Sequence, residues 1–566
     1  YVLEVRPTEV LCGAPRTGGL LHAAATLRQL IRANRTGATL PCLRIEDWPS
    51  LRWRCFQDDL TRGPSSRLAT MKRDVRLGAY LRMNVWTYYM EYQYAWKKHP
   101  RIGPKDGSLT PEDLSALVKF AADFHVEVMG NQQSFGHFED ILRHEEYADL
   151  RETGSILNPL NEKTYRLLDE MYSEVLPLLP FELFNVCCDE THGLGRGPSK
   201  ELAGKIGVGG VYVRHIGRVH KLVKGKYGKR MMMWGDIILR HPANLKDIPR
   251  DVIMLTWGYD ARANFEAQIV PFARSGFDFF VCPGVSNWSR ILPDFGTATT
   301  NIRNFVRDGA KHGAMGMLNT AWEDDGESLN APKWHGHAWA AECAWNAATT
   351  EPRDFNRRIG AVLFGEAGDH FGTAVELLSR AHGQAGMNRM YNRRFWQNDF
   401  TSKGPPAELR RSAEGLLGIV RPAIEHLLAC RKEAVANGEL IDSFLLGARR
   451  MERIARRMLD AVETGEACAR AGRAPRDEAT KHIDRAESII KASRDAHDAL
   501  GKEFRRLWLA ESKPYALDWT MNRYASLRQW HDGMLAKLAD ARKCIEAGKP
   551  PPTPQQLGLP APAPPE

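Results

Sequence analysis

The 566-residue sequence contains no run of about 18 apolar residues, so no segment of it reads as a membrane-spanning helix. Its ten cysteines are scattered: only Cys187 and Cys188 adjoin, and no CxxC pair occurs. That pattern argues against a zinc ribbon or a small disulfide scaffold. No G-x-S-x-G marks a serine nucleophile elbow. The glycine-rich GKIGVGGVY (204–212) lacks the closing GK[ST] of a phosphate-binding loop and reads instead as a flexible loop over a mouth. Excess charge is scarce too. Lys+Arg number 78 against 69 Asp+Glu, and the resulting +9 permits a polyanionic partner without demanding one. The sequence opens at Tyr1 rather than Met, already reading as a strand and not as a basic-plus-apolar signal segment. The start resembles that of a processed or trimmed product. An exported form, periplasmic or secreted, is one reading of it; compartment and oligomeric state are otherwise unassigned.

The chain does have a globular balance of 43% hydrophobic and 26% charged residues. Its length alone suggests three to four domains at about 150 residues each, fewer if one is a large barrel. Residues 1–50 read as a strand over 1–5, a turn near Gly18–Gly19, a helix over 21–33 and then LPCLRIEDWPS, resembling the last β-α-β piece of a small α/β domain, its remnant. From 51 to 355, eight short apolar runs alternate with helical stretches: WRCFQDD, NVWTYYM, VEVMGNQ, FELFNVCCDE, RMMMWGD, VIMLTWG, FDFFVCPG and AMGMLNTAW. Eight such units predict a (β/α)₈ TIM barrel, with a nine-stranded or open doubly wound sheet as the alternative.

Residues 356–548 turn rich in Ala, Arg, Leu, Glu and Lys. Phe444, Ala448, Met451, Ala455, Met458 and Val462 make one apolar helical stripe in a C-terminal α-helical domain. Arg449, Arg450, Arg453, Arg456 and Arg457 lie off that stripe. They read as a solvated face; without interleaved aromatics they argue against a nucleic-acid surface. The tail 549–566 is Pro-rich and reads as extended or disordered.

In a (β/α)₈ barrel the chemistry sits at the C-terminal strand ends. Polar and aromatic residues at the run ends are Arg54 and Asp59, Glu91, Gln133 and His137, Asp189 and Glu190, Trp234 and Asp236, Trp257 and Tyr259, Asn287 and Trp288, and Trp322 with Glu323, Asp324 and Asp325. Several tryptophans and three carboxylate clusters on one rim suit a sugar: indole faces cover the ring, and charged groups take its hydroxyls. The sharpest feature is Asp189–Glu190, two acids straight out of an apolar strand. Their repulsion and partial burial predict that the less hydrogen-bonded one is pushed up in pKa, giving one acid and one ionised partner. Neighbours in sequence are poorly placed as the opposed carboxylates of an ordinary retaining glycosidase. They fit a substrate-assisted reaction, in which the substrate's own acetamido oxygen attacks. A solvated cap or helix N-terminus would explain the pair equally well.

LPCLRIEDWPSLRWRCFQDDLTRG, NQQSFGHFEDIL, FNVCCDETHGLGRGPS, MMMWGD, TWG and NTAWEDDGE together resemble, in order and spacing over roughly residues 20–350, the glycoside hydrolase family 20 β-N-acetylhexosaminidases. The resemblance implies an exo-acting hydrolase of terminal β-linked GlcNAc or GalNAc, retaining through substrate assistance, with no cofactor or metal. Its partner would be a β-linked N-acetylhexosamine oligosaccharide or glycoconjugate, not nucleic acid. It makes Glu190 the general acid/base and Asp189 the holder of the acetamido N–H. Arg54 and Asp324 would take the hydroxyls at the far side of the sugar, Trp234, Trp257 and Trp322 would wall the pocket, and His137 would sit beside the acid. Glu91 matches more weakly. Three departures stand out: Cys55 where glycine is usual, Cys188 ahead of the acidic pair, and CPGVSNWS in place of a Tyr-x-Asp after run seven. The missing tyrosine's contact with the acetamido carbonyl falls to Asn287 or Tyr259. The alternatives are another 2-acetamido-sugar glycosidase on the same barrel, such as one acting on disaccharide units, or a non-catalytic carbohydrate-binding barrel. His335 and His337 in WHGHAW read as packing rather than metal ligands.

Overall fold

In a computed structural model, which describes residues 1–34, 37 and 39–560, all eight apolar runs become strands of one closed parallel barrel. They are β4 (Trp53–Asp59), β5 (Val85–Tyr89), β6 (Glu127–Asn131), β7 (Leu183–Asn185), β8 (Arg230–Trp234), β9 (Ile253–Trp257), β10 (Phe279–Cys282) and β11 (Gly316–Asn319), numbered after three strands of the N-terminal sheet. β11 closes the ring by pairing with both β10 and β4. Strands buried on both faces need apolar side chains at successive positions, which is why these runs do not alternate. Cys55, Val85, Met129, Leu183, Met232, Leu255, Phe280 and Leu318 fill the barrel interior, and Cys55 takes its place there as a small apolar filler. The opposite faces pack against the surrounding helices in a larger core. Those helices start where the sequence supplies a cap. Thr110 accepts from the Asp113 N–H ahead of Pro111–Ala122, Asn161 caps Glu162–Val175, and Asp294 caps Phe295–Lys311.

Four expectations change. The N-terminal segment is a three-stranded antiparallel sheet, β1 (Val2–Val5) flanked by β2 (Val10–Gly13) and β3 (Leu43–Glu46). Its helix starts at Thr17 and runs through both glycines, so no turn forms at Gly18–Gly19. GKIGVGGVY is not a loop: it belongs to the helix Lys200–His220, kinked at Gly207 with φ 78°. Its buried Gly209 lets the helix approach His241 and Asn244 more closely than a side chain would allow.

The arginine cluster is not one solvated face. Arg450, Arg453 and Arg457 are buried and paired with Glu327, Asp460 and Asp399 respectively. They serve a bundle of four long helices, Pro406–Glu433, Glu439–Ala471, Arg476–Glu511 and Leu517–Glu546. The tail, finally, is ordered where it is described. Thr553 forms a capping box with Gln556, and Leu557 and Leu559 bury into the bundle core. Residues 561–566 lie outside the described residues.

Candidate functional site

The C-terminal ends of the strands converge on a pocket lined by Arg62, His137, Asp189, Glu190, Trp234, Trp257, Tyr259, Trp322 and Asp324. Asp189 and Glu190 leave β7 through a strained bend. Cys187, Cys188 and Glu190 all take positive φ (59°, 67° and 51°), a region costly for any residue but glycine. The contacts that hold the bend are local. Cys187 N–H donates to Asn185 Oδ1 and its carbonyl accepts from Trp234 N–H; Tyr212 donates its hydroxyl to the Cys188 carbonyl. Glu190 N–H donates to Asp236 Oδ2 at 3.0 Å. A small residue is favoured before the acidic pair because of this backbone, and the fully buried Cys188 side chain tolerates it.

His137 binds the two acids together. Its Nε2 lies 3.5 Å from Asp189 Oδ2 and 3.4 Å from Glu190 Oε2, and its Nδ1 is 3.9 Å from Glu91 Oε1. Gly136 makes this possible, since a Cβ there would lie 2.5 Å from the Asp189 carbonyl oxygen. Burial opposes charge on the imidazole, but its contacts with Asp189, Glu190 and Glu91 outweigh that and raise its pKa to about 11. The imidazolium in turn holds Glu190 below the usual carboxylate range against the opposing effect of burial. Burial would raise Asp189, yet His137 and Gln133, which donates to its Oδ1 at 2.6 Å, bring it down as well. Neither member of the pair is therefore raised, contrary to the sequence expectation. The raised carboxyls are their neighbours, Asp324 on the facing wall among them, by burial. Glu91 and Asp236 are both pushed up to about 7, chiefly by burial.

On the other wall Arg62 pairs with Asp59, Glu91 and Asp324, each at 3.2 Å, with its guanidinium 5.1 Å from the Trp322 ring centre. Arg54 is at the opposite end of the barrel. It is spent on the carbonyls of Leu51, Arg52 and Arg82, because it sits five residues before the pocket end of β4. Glu91 lies behind the pocket wall, accepting from the Tyr89 hydroxyl at 2.7 Å. Asn287 is also withdrawn, its side-chain amide tied to the backbone N–H and carbonyl of Trp322. Tyr259 does face the pocket; it stacks on Trp257 and accepts from Trp322 Nε1 at 2.9 Å. Sequence reasoning thus missed Arg62, although it falls just three residues past the Asp59 strand end, and did not carry Gln133 into the site.

The loop after β11, which carries Trp322 and Asp324, is fastened on both sides. Lys333, wholly buried, bonds Asp58 and Glu323 at 2.9 and 2.8 Å. Glu327 accepts from Trp396, Arg450 and Arg523, all three from beyond the barrel. His335 and His337 are buried and bonded to the amides of Asn356 and Asn319. Among the described residues no group of three or more His, Cys, Asp or Glu side chains converges as a metal site, and no helix is long and apolar enough to cross a membrane.

A closed parallel barrel with an acidic pair and indoles at its C-terminal mouth defines a sugar-site architecture. Residues 53–288 match the model of the glycosyl hydrolase family 20 catalytic domain. Hexosaminidase D of Bos taurus is 26% identical over 209 residues, covering 34% of this chain and 60% of that protein. A β-hexosaminidase of Vibrio furnissii is 22% identical over 347 residues, covering 52% and 53%. The chain thus spans little more than half the length of these relatives. Among solved structures, a chitobiase of Flavobacterium johnsoniae has a TM-score of 0.55 at 18% identity, with 83% of each chain covered. A β-N-acetylhexosaminidase of Bacteroides fragilis has a TM-score of 0.52 at 19% identity, covering 64% of this chain and 80% of that one. Over residues 53–288 the chain is thus similar to the glycosyl hydrolase family 20 catalytic domain, and its fold is that of these solved structures.

Proposed function

We propose that the protein is an exo-β-N-acetylhexosaminidase that hydrolyses terminal β-linked GlcNAc or GalNAc with retention, the substrate's acetamido oxygen acting as nucleophile. The observation that carries this reading is the Asp189–Glu190 pair on one wall, both reaching a single nitrogen of His137, in a pocket walled by Trp234, Trp257 and Trp322. Two carboxylates gathered on one imidazole do not straddle a scissile bond as an acid and an opposed nucleophile do. Asp189, fixed by Gln133 and His137, is placed to accept the acetamido N–H and to face the positive charge that develops on the closing ring. Glu190, with 47% of its side chain exposed, is the one free to reach a glycosidic oxygen.

Glu190 donates its proton as the C1–O bond breaks and the amide oxygen attacks C1. It then takes a proton from the water that opens the oxazolinium. A sugar in the pocket displaces water from Glu190 and so favours its protonated form. Tyr259 is the nearest stand-in for the missing tyrosine, and Arg62 with Asp324 meets hydroxyls on the far wall. Turnover of a panel of 4-nitrophenyl 2-acetamido-β-glycosides tests the assignment. Asp189→Ala should cripple these substrates and a thiazoline mimic of the intermediate should inhibit the wild type; a covalent sugar adduct on either acid would refute it.

A further inference from the structure

A hollow of about 600 Å³ lies at the N-terminal end of the barrel, between the helices Thr17–Ala33, Trp334–Trp345 and Pro352–Leu363. That volume takes a small organic molecule. Its floor is apolar and buried, made by Leu81, Ala338, Ala341, Trp345, Phe355 and Ile359. Its rim is cationic: Arg32, Arg82, Arg357 and Arg358 line it against two carboxylates, Glu342 and Glu366. Two of the arginines are already paired, Arg357 with Asp354 and Arg358 with Glu342. Glu366 is buried and accepts from the Phe371 N–H at 3.0 Å, and burial raises its pKa. Arg32 and Arg82 are left over. Arg32 donates to the Tyr80 hydroxyl and the Val362 carbonyl, and Arg82 to the hydroxyls of Thr26 and Tyr1. These acceptors are neutral, and among the described residues neither guanidinium pairs with a carboxylate. The two charges act on one neighbourhood. Burial raises the Tyr80 phenol while Arg32, Arg28 and Arg82 lower it, and burial followed by Arg54 and Arg82 depresses His22 to about 3.

We propose that this hollow binds an organic carboxylate with an apolar body, the head on Arg32 and Arg82 and the body on Trp345 and the apolar floor. Guanidinium donors match carboxylate oxygens in charge and geometry, so such a head supplies the counter-charge that the protein withholds. Half-buried cations facing an apolar floor gain more from that partner than cations in open water do. A neutral sugar would leave the charge uncompensated and the floor ill-matched. The site is at the opposite end of the barrel from Glu190, so it neither overlaps the acidic pocket nor rests on the hexosamine reading of it.

The test is calorimetric titration of the full chain with decanoate and with 2-naphthoate, one a chain and one a ring, and with 2-naphthalenemethanol as the neutral counterpart. At least one carboxylate should bind, one per chain, with a Kd of about 1 mM or tighter. The better of the two tells whether the body is a chain or a ring. The alcohol should bind at least about tenfold more weakly than 2-naphthoate, the factor expected for a charge-assisted contact. Arg32→Leu and Arg82→Leu should each weaken the carboxylate by a similar factor. Arg82 also ties Tyr1 and Thr26 to the barrel, so if its variant does not fold, Arg32→Leu and Ala361→Phe decide. Ala361 is half-buried in the lining, and a ring there fills the hollow without removing a charge, so binding should be abolished. Failure of both carboxylates to bind overturns the proposal. So does an alcohol that binds as well as 2-naphthoate, or an affinity unchanged in either Arg32→Leu or Ala361→Phe.

Discussion

The two ends of the barrel use the same side chains to opposite effect. At the N-terminal end Arg54 and Arg82 lie over the Trp345 ring, each 5.1 Å from its centre; at the C-terminal end Arg62 lies over Tyr89 and Trp322. The partners differ. Arg54 finds only backbone carbonyls, and burial depresses it to about 10. Burial opposes charge on Arg62 as well, but Tyr89, Asp59, Glu91 and Asp324 overcome it and hold the guanidinium well above its ordinary value. The larger hollow, about 600 Å³, is also at the N-terminal end, beside Trp345 and Arg82, and its lining carboxylates, Glu342 and Glu366, are not neighbours in the chain as Asp189 and Glu190 are. Neither an arginine on an indole nor cavity size makes a catalytic site. Charge partners that remain partly open to a ligand do.

The comparison can be broken most severely at the acid. Glu190→Gln should lower kcat on a 4-nitrophenyl 2-acetamido-β-glucoside by about 10²–10⁴-fold while the thermal transition stays in place. Next come the two arginines. Arg62→Lys keeps a charge but loses the fork that engages three carboxylates, so kcat/KM should fall by about 10–100-fold. Arg54→Lys should leave kcat/KM within about twofold and lower stability by roughly 1–3 kcal/mol through unsatisfied carbonyls, read by chemical denaturation. Equal kinetic losses in the two variants would erase the distinction between the ends.

A smaller effect sharpens the electrostatics. His137→Gln removes the imidazolium that lowers both acids, so the ionisation of Asp189 and that of Glu190 should each move up, carrying both limbs of the kcat/KM profile to higher pH. Stability should respond as well. The His137 pKa is raised by folding from 6.5 to about 11, so its contribution is full below pH 6.5 and is lost as pH climbs toward 11. The variant should lack that alkaline decline; a profile and a stability curve that both match wild type would contradict the imidazolium.

The eight strands were legible because burial on both faces writes itself as unbroken apolar runs, and eight of the eleven residues given roles by the family resemblance line the pocket. Arg54 was misplaced for a geometric reason. A motif gives neighbours along the chain, whereas a strand rises about 3.3 Å per residue, so the six residues of β4 from Arg54 to Asp59 carry side chains from one mouth to the other. Arg62 sits in the loop beyond, where periodicity is silent. Buried Arg450 and Arg457 were hidden because their carboxylate partners, Glu327 and Asp399, are distant in sequence and outside the helical stripe. GKIGVGGVY misled because glycines that allow close helix packing look like glycines that allow a loop.

The claim on which the account turns is that the substrate's amide, fixed by Asp189, attacks its own anomeric carbon. The direct measurement is kcat/KM across 4-nitrophenyl β-glucosaminides whose N-acetyl group carries zero, one, two or three fluorines. A steep fall with each fluorine, as the amide oxygen loses nucleophilicity, is the predicted result; a rate indifferent to fluorination would contradict it.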